Sequence, residues 1–286
     1  MACPLALIPY PQINPVIFHV GRLKIRWYGV AYLVGFILGF FLLERLARQR
    51  VLRINVEWVS DLIGWLALGV IVGGRGGWWI FYHVPTPGVS EPWYEPINIQ
   101  GGGMAFHGGL VGVITVLIIW CRSKKLSLPD SLNVADCLAL VTPIGLFFGR
   151  IANFINGELV GRPTNVPWAI IFPGYDQPRH PSQIYEALLE GPLLMGIVWL
   201  FKQKKNRRDG QIGATFVIGY AVIRSCIELT RQPDVQLGFI AFGWLTMGQL
   251  LSFGIGLAGI IGWFVLGRHA PVARLAPAAS ERRTKS

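Results

Sequence analysis

Residues 27–43 read WYGVAYLVGFILGFFLL, an apolar run without a charged side chain. A helix needs about 20 mostly apolar residues to cross the roughly 30 Å hydrocarbon core of a bilayer. Six further runs of this kind follow along the chain, so the sequence predicts about seven transmembrane helices. The predicted spans are Trp27 to Leu43, Val59 to Phe81, Met104 to Cys121, Leu132 to Ile155, Ile184 to Phe201, Gly210 to Ile227 and Phe242 to Leu266.

The composition of the whole chain supports an all-α polytopic membrane protein. Of its 286 residues, 52% are hydrophobic and 14% are charged, whereas soluble domains carry about 25% charged residues. We expect one seven-helix membrane domain over residues 1–267, followed by a disordered basic tail over 268–286. The four cysteines and five histidines are dispersed, so the sequence predicts no disulfide framework, metal site or cofactor.

The basic residues predict how the chain crosses the membrane. Of the 26 Lys and Arg residues, 17 fall in the first, third and fifth loops and the C-terminal tail, and 6 fall on the other side. The positive-inside rule therefore places the C-terminus in the cytoplasm and the N-terminus outside. The net charge of +11 is explained by this asymmetry, and we expect no nucleic-acid partner.

With this topology, most of the conspicuous polar residues lie at the outer ends of the spans. Tyr220, Arg224, Glu228 and Arg231 have the spacing of one helix face. Charge facing lipid costs about 2.5 to 3.5 kcal/mol per residue on insertion scales, so Arg150 and Arg224 should face the bundle interior. Their expected partners are Glu158 and Glu228, and the alternative is that Arg224 and Glu228 form only a structural ion pair.

Two arginines at the level of the lipid headgroups suit a phosphate, because the guanidinium fork matches phosphate oxygens and stays charged when it is partly desolvated. Arg75, which is flanked by glycines, has a packing interpretation that is equally good. His107 and the nearby carboxylates add groups for proton transfer, which favours an enzyme. A phospholipid transporter and a non-catalytic lipid-binding protein remain as alternatives, although we find no internal repeat and no midplane site typical of transporters.

The polar motifs resemble those of the prolipoprotein diacylglyceryl transferase family. The strongest match is GRIANFINGELVGR over residues 149–162. The other matches follow in family order: Arg26 to Gly29, Gly73 to Arg75, Gly102 to Gly109, Arg179 to Glu186, and Arg224 through Glu228 to Arg231 and Asp234.

The resemblance implies a reaction and its partners. The sn-1,2-diacylglyceryl group of phosphatidylglycerol would pass to the lipobox cysteine thiol of a prolipoprotein signal peptide. A thioether forms and glycerol phosphate is released, as the first step of bacterial lipoprotein maturation. The enzyme would be a multi-pass protein of the bacterial inner membrane, in contact with membrane lipid, with its active site toward the periplasmic side.

The resemblance also implies roles for individual residues. The expected catalytic residues are His107, Arg150, Arg224 and Glu158. The residues expected to bind phosphatidylglycerol are Arg150, Arg224, Asn153, Tyr28, Gly161, Glu228, Arg231 and His180. The attacking thiol must lose a proton, and the base is open between His107, Glu158 and the field of the arginines.

Overall fold

The structure is a computed structural model that describes residues 8–21, 23–80, 103–232 and 238–267. It is mostly helical. A π-helical turn, Leu189–Leu193, joins the fifth helix to the sixth. The helices are α1 Trp27–Arg48, α2 Trp58–Trp78, α3 Phe106–Ser123, α4 Leu128–Ile155, α5 Ser182–Leu188, α6 Leu194–Lys202, α7 Gln211–Ile227 and α8 Met247–Leu266.

Most of each of the seven predicted spans lies on helix in the part of the chain that the structure describes; the described exceptions are Met104, Ala105, Gly210 and residues 242–246. Phe81 and the predicted tail 268–286 lie outside the described residues. Within the described residues, five helical segments are long and apolar enough to cross a membrane, and the apolar segments His107–Ser123 and Gln211–Ile227 are shorter. Large apolar side chains such as Leu33 and Val111 are more than half exposed. These features are those of a polytopic membrane protein whose apolar surface faces lipid.

The described residues also contain six short strands that the sequence analysis did not predict. They form a parallel pair, β1 with β4, and two antiparallel pairs, β2 with β3 and β5 with β6. Each has two to five residues, too few for an alternation of apolar and polar side chains to stand out. The strands are β1 Ile8–Pro9, β2 Val16–Val20, β3 Leu23–Arg26, β4 Ile170–Ile171, β5 Phe239–Ala241 and β6 Leu245–Thr246.

Two predicted spans differ from the observed helices. The last span was expected to begin at Phe242, but Phe242 lies in the turn between β5 and β6, and α8 begins at Met247 because Thr246 and Gln249 form a capping box. The fifth span is interrupted at Gly191, whose φ of −89° and ψ of −105° are not helical. Pro192 follows it and lacks a backbone N–H, so the interruption has a local chemical cause.

The chain divides into two compact units, one of Met1–Gly39 with Ala135–Ser286 and one of Phe40–Val134. In the second unit, α2 and α3 touch through a row of glycines that we call the glycine contact. A Cβ atom added to Gly73 or Gly112 would collide with a backbone oxygen of the opposite helix. The two backbones therefore approach as closely as only glycine permits. The members are Gly69, Gly73, Gly77, Gly108 and Gly112.

In the first unit, α7 packs against α8 and α6 and is attached to α4 by a buried carboxylate. Asp136 of α4 accepts hydrogen bonds from the backbone N–H groups of Gly210, at 2.9 Å, and Gly213, at 2.8 Å. Backbone N–H groups in the first turn of a helix have no partner within it, and a carboxylate there is also favoured by the helix dipole. Asp136 therefore caps α7 from a neighbouring helix.

Candidate active site

Arg150 lies near the end of α4 and points at two carboxylates that are fully buried. Its Nη1 is 2.9 Å from Oε2 of Glu186, and its Nε donates to Oε2 of Glu190 at 3.0 Å. Glu186 lies on α5 and Glu190 one turn later in the π-helical turn, so both face the same side. The expectation that Glu158 pairs with Arg150 is wrong. Glu158 lies beyond the end of α4, and its carboxylate accepts a hydrogen bond from Asn153.

Arg224, near the end of α7, is held between two carboxylates. Its Nη1 donates to Oε1 of Glu186 at 2.8 Å, and its Nη2 is 2.7 Å from Oε2 of Glu228. The expected pair with Glu228 is therefore confirmed. Helix α7 ends at Ile227, so Arg231 joins from the following loop, with Nη1 at 3.7 Å from Oε1 of Glu186.

These groups form one unit, the charged centre, in which Glu186 contacts all three guanidinium groups. Three arginines and three glutamates balance in formal charge. This balance is needed because an unpaired ionised group is costly inside a membrane helix bundle. The contacts to described residues use Nε and Nη1 of Arg150 and the two Nη atoms of Arg224. Since a guanidinium has five N–H donors, Arg150 and Arg224 each keep donors for an anionic ligand. The members are Arg150, Glu186, Glu190, Arg224, Glu228 and Arg231.

A second set of predicted residues lies one turn along α4. Asn153, three residues after Arg150 and buried, donates from Nδ2 to the Tyr28 hydroxyl at 2.5 Å and to Oε1 of Glu158 at 2.7 Å. Glu158 follows Gly157, whose φ of +66° turns the chain at the end of the helix. The structure therefore brings together Tyr28, Asn153 and Glu158, and Glu158 is oriented by an amide.

Gly161 lies where three loop segments meet. It forms an antiparallel bridge with Arg231, and its N–H donates to the backbone oxygen of His180 at 3.0 Å. A Cβ atom at Gly161 would collide with His180 and would come within 2.8 Å of the backbone oxygen of Thr230. The requirement for glycine here is therefore one of packing, and it fixes the position of the loop that carries Arg231.

His180 makes its side-chain contact with Tyr185 rather than with an arginine. Its Nδ1 lies 3.2 Å from the Tyr185 hydroxyl, which accepts from Nε1 of Trp168 at 2.6 Å. Partial burial lowers the pKa of His180 below its usual value, because the charged imidazolium is desolvated there. His180 therefore favours the neutral imidazole, which hydrogen-bonds through one donor and one acceptor nitrogen.

His107 and Arg75 belong to the second unit. The Arg75 guanidinium is buried, donates from Nη1 to the backbone oxygen of Gly103 at 3.1 Å, and stacks 4.3 Å above the Trp78 ring. The N–H of Ala105 donates to the backbone oxygen of Gly74 at 2.8 Å. These contacts fix the start of α3, where the side chain of His107 is exposed.

Sequence reasoning missed several members of the site. Glu190 was not singled out, and Glu186 appeared only inside a longer motif. Their spacing of four inside an apolar span was the available signal, since buried carboxylates need cationic partners. Thr246 carried no signal of this kind, because its contact with Glu228 depends on how α8 packs against α7.

The comparisons with known proteins identify the family of the chain. The family model described as prolipoprotein diacylglyceryl transferase matches residues 15–265. The chain belongs to the prolipoprotein diacylglyceryl transferase family. This match extends over both units and over every residue of the charged centre.

Individual relatives of the family resemble the chain over nearly its whole length. A relative from Rhodospirillum rubrum is 47% identical over 275 residues, which cover 94% of this chain and 98% of the relative. One from Legionella pneumophila is 47% identical over 259 residues, covering 90% and 99%. One from Sinorhizobium medicae is 44% identical over 269 residues, covering 91% and 94%. All three bear the name phosphatidylglycerol--prolipoprotein diacylglyceryl transferase.

Proposed function

We propose that this chain transfers the diacylglyceryl group of phosphatidylglycerol to a prolipoprotein during lipoprotein maturation. The observation that carries the proposal is family membership over residues 15–265, which includes the charged centre. In detail, the acceptor is the lipobox cysteine thiol of the signal peptide, the new bond is a thioether, and glycerol phosphate leaves. The catalytic domain comprises residues 1–267.

Arg150 and Arg224 bind the phosphate of the lipid and stabilise it as it leaves. The sulfur attacks the glycerol carbon that bears the phosphate ester, and the bond from carbon to the ester oxygen breaks. Negative charge grows on the phosphate during this step, so preorganised guanidinium donors act where the charge develops. The glutamates hold both guanidiniums before substrate arrives, which removes the cost of ordering them during the reaction.

The thiol proton has two candidate acceptors, His107 and Glu158. The alternative is that the field of the arginines lowers the pKa of the substrate thiol, so that the proton is released to water. Glu158 is exposed and hydrogen-bonded to Asn153, and the imidazole of His107 is exposed at the start of α3. Comparing the pH dependence of kcat/KM in His107→Gln and Glu158→Gln separates them. The variant that loses the base loses the acidic limb of the profile.

The same proposal includes the topology. The chain has seven spans in the bacterial inner membrane, with the N-terminus and the active site on the periplasmic side and the C-terminus in the cytoplasm. It acts on membrane lipid and peptide and has no nucleic-acid partner. Fusing a green fluorescent protein or alkaline phosphatase to the C-terminus tests the orientation, because the first fluoresces in the cytoplasm and the second is active in the periplasm.

The decisive test of the activity uses purified protein in detergent with phosphatidylglycerol and a synthetic lipobox peptide. We expect a gain in peptide mass equal to a diacylglyceryl group, matched by release of glycerol phosphate. Arg150→Lys and Arg224→Lys keep the charge but lose the planar fork, and removing one such donor group lowers kcat by about 100-fold.

The matched control is Arg48→Lys, because the Arg48 side chain is 67% exposed at the end of α1 and should tolerate the same change. Wild-type protein that binds phosphatidylglycerol but never modifies the peptide would refute the transferase. Full activity of both arginine variants would instead refute the assignment of the phosphate to Arg150 and Arg224.

A further inference from the structure

The carboxylate of Glu228 is fixed by the start of α8 as well as by Arg224. Its Oε1 accepts a hydrogen bond from the Thr246 hydroxyl at 3.0 Å. Both residues are almost fully buried, with 5% of Glu228 and 2% of Thr246 exposed. A carboxylate in this position also lies at the N-terminal end of α8, where the helix dipole favours negative charge.

Thr246 performs two tasks with one hydroxyl group. The hydroxyl oxygen accepts a hydrogen bond from the backbone N–H of Gln249 at 3.2 Å and so caps α8. The same hydroxyl group donates a hydrogen bond to Glu228. The Gln249 side chain completes the capping box by accepting a hydrogen bond from the backbone N–H of Thr246 at 3.1 Å. The capping box therefore orients the Thr246 hydroxyl group so that it donates toward the charged centre.

The Glu228 carboxylate occupies the space that a side chain would need at Gly248, the second residue of α8. A Cβ atom at Gly248 would lie 2.7 Å from Oε1, 2.8 Å from Cδ and 2.9 Å from Oε2 of Glu228. These distances are shorter than van der Waals contact, so a side chain at Gly248 would displace the carboxylate. The first turn of α8 is thus shaped to receive Glu228.

The bond from Thr246 is the directional contact of this carboxylate. Oε2 of Glu228 lies 2.7 Å from Nη2 of Arg224, yet among the described residues it has no partner that meets hydrogen-bond geometry. The attraction between the two charges is strong at this distance but sets no angle. The orientation of the carboxylate therefore depends on the hydroxyl. The Arg224 guanidinium, which Glu186 holds through Nη1, is positioned by this carboxylate through Nη2.

We propose that Thr246 is a positioning residue of the transferase, which acts on the lipid phosphate through Glu228 and Arg224. The inference rests on the proposed function, because it assigns Arg224 to the phosphate. Thr246 itself touches neither substrate nor reacting atoms. The start of α8 therefore belongs to the functional site.

The test compares a substitution that removes the hydroxyl group with one that keeps it. Thr246→Val removes the hydroxyl and keeps the shape, and we expect kcat/KM for phosphatidylglycerol to fall about tenfold, as for a lost hydrogen bond to a charged group. Thr246→Ser restores the hydroxyl and should stay within about threefold of the wild type. Gln249→Met weakens the cap without touching Glu228, so it should lower thermal stability and change kcat/KM of the folded protein less than Thr246→Val.

A double-mutant cycle separates positioning from simple destabilisation. In a Glu228→Ala background, where the partner of the hydroxyl is gone, Thr246→Val should change kcat/KM by less than about twofold. An equal loss in both backgrounds, or no loss in the wild-type background, overturns the inference. If Glu228→Ala is inactive, the same cycle is read from the apparent Kd for phosphatidylglycerol vesicles. A wild type without transfer activity would instead refute the proposed function.

Discussion

The charged centre and the glycine contact bring helices together in opposite ways. In the charged centre, long side chains from α4, α5 and α7 meet, and Glu186 touches Arg150 and Arg224 at 2.9 and 2.8 Å. In the glycine contact, α2 and α3 meet without side chains, and a Cβ atom at Gly77 would lie 2.6 Å from Cα of Gly108. The first region is specified by paired charges, and the second by residues that have no side chain.

The difference predicts different sensitivities. Ionised groups inside a bundle are stable only while their partners remain, because a single unpaired charge there has no water to solvate it. A glycine pair tolerates changes of charge nearby but not an added methyl group, because the opposite backbone is rigid. The three variants below test this contrast, in order of decreasing expected effect.

The largest effect is expected for Glu186→Ala. The substitution removes the carboxylate that contacts three guanidiniums and leaves three arginines with two glutamates. Breaking a buried pair in this way costs about 3 to 5 kcal/mol, so the midpoint of unfolding in a denaturant titration should fall strongly. Glu186→Gln keeps the volume and one acceptor and should lose less. Equal stability of Glu186→Ala and wild type would show that solvent, rather than Glu186, compensates these arginines.

A smaller loss is expected for Gly112→Ala in the glycine contact. The added methyl group would collide with the backbone oxygen of Gly69 and force α2 and α3 apart, at a cost of about 1 to 3 kcal/mol. The control is Gly109→Ala on the same helix, where the nearest atoms are 3.8 Å and 3.9 Å from the new Cβ. Comparing thermal unfolding of the two variants isolates the collision from helix propensity. Similar melting temperatures would contradict close backbone packing.

The smallest loss is expected for Asp61→Asn, which removes a charge from the unit that contains the glycine contact. Asp61 lies 2.7 Å from Nζ of Lys124, but 40% of its side chain is exposed. Exposed ion pairs contribute about 0 to 1 kcal/mol, and asparagine keeps an acceptor for Nε1 of Trp120. Unfolding midpoints at low and high salt measure how much the attraction between Asp61 and Lys124 contributes to stability. A loss as large as that of Glu186→Ala would remove the distinction between the two regions.

The helices were predictable because each depends on local sequence. Runs such as Trp27 to Leu43 carry their own signal, since a membrane span is defined by apolar length. The inward placement of Arg150 and Arg224, and the pair between Arg224 and Glu228, followed from the cost of charge in lipid and from a spacing of four. The family resemblance came from short motifs whose order along the chain is specific.

The remaining features depend on contacts between distant segments. Glu158 was a reasonable partner for Arg150 in sequence, but the turn at Gly157 directs it to Asn153. The carboxylates that contact Arg150 instead belong to Glu186 of α5 and Glu190 of the π-helical turn. Thr246 is an ordinary polar residue until α8 packs against α7. The start of α8 was misplaced because the apolar residues of β5 and β6 continue directly into the helix.

Asp136 extends the influence of the charged centre along a whole helix. It holds the first turn of α7 at Gly213, and the chain of contacts from Arg150 through Glu186 to Arg224 holds the last. These two attachments to α4 are about 16 Å apart along α7, at 1.5 Å per residue. A rod fixed at both ends can neither rotate about its axis nor slide. The direction of the Arg224 side chain is therefore set partly by a carboxylate at the opposite end of the helix.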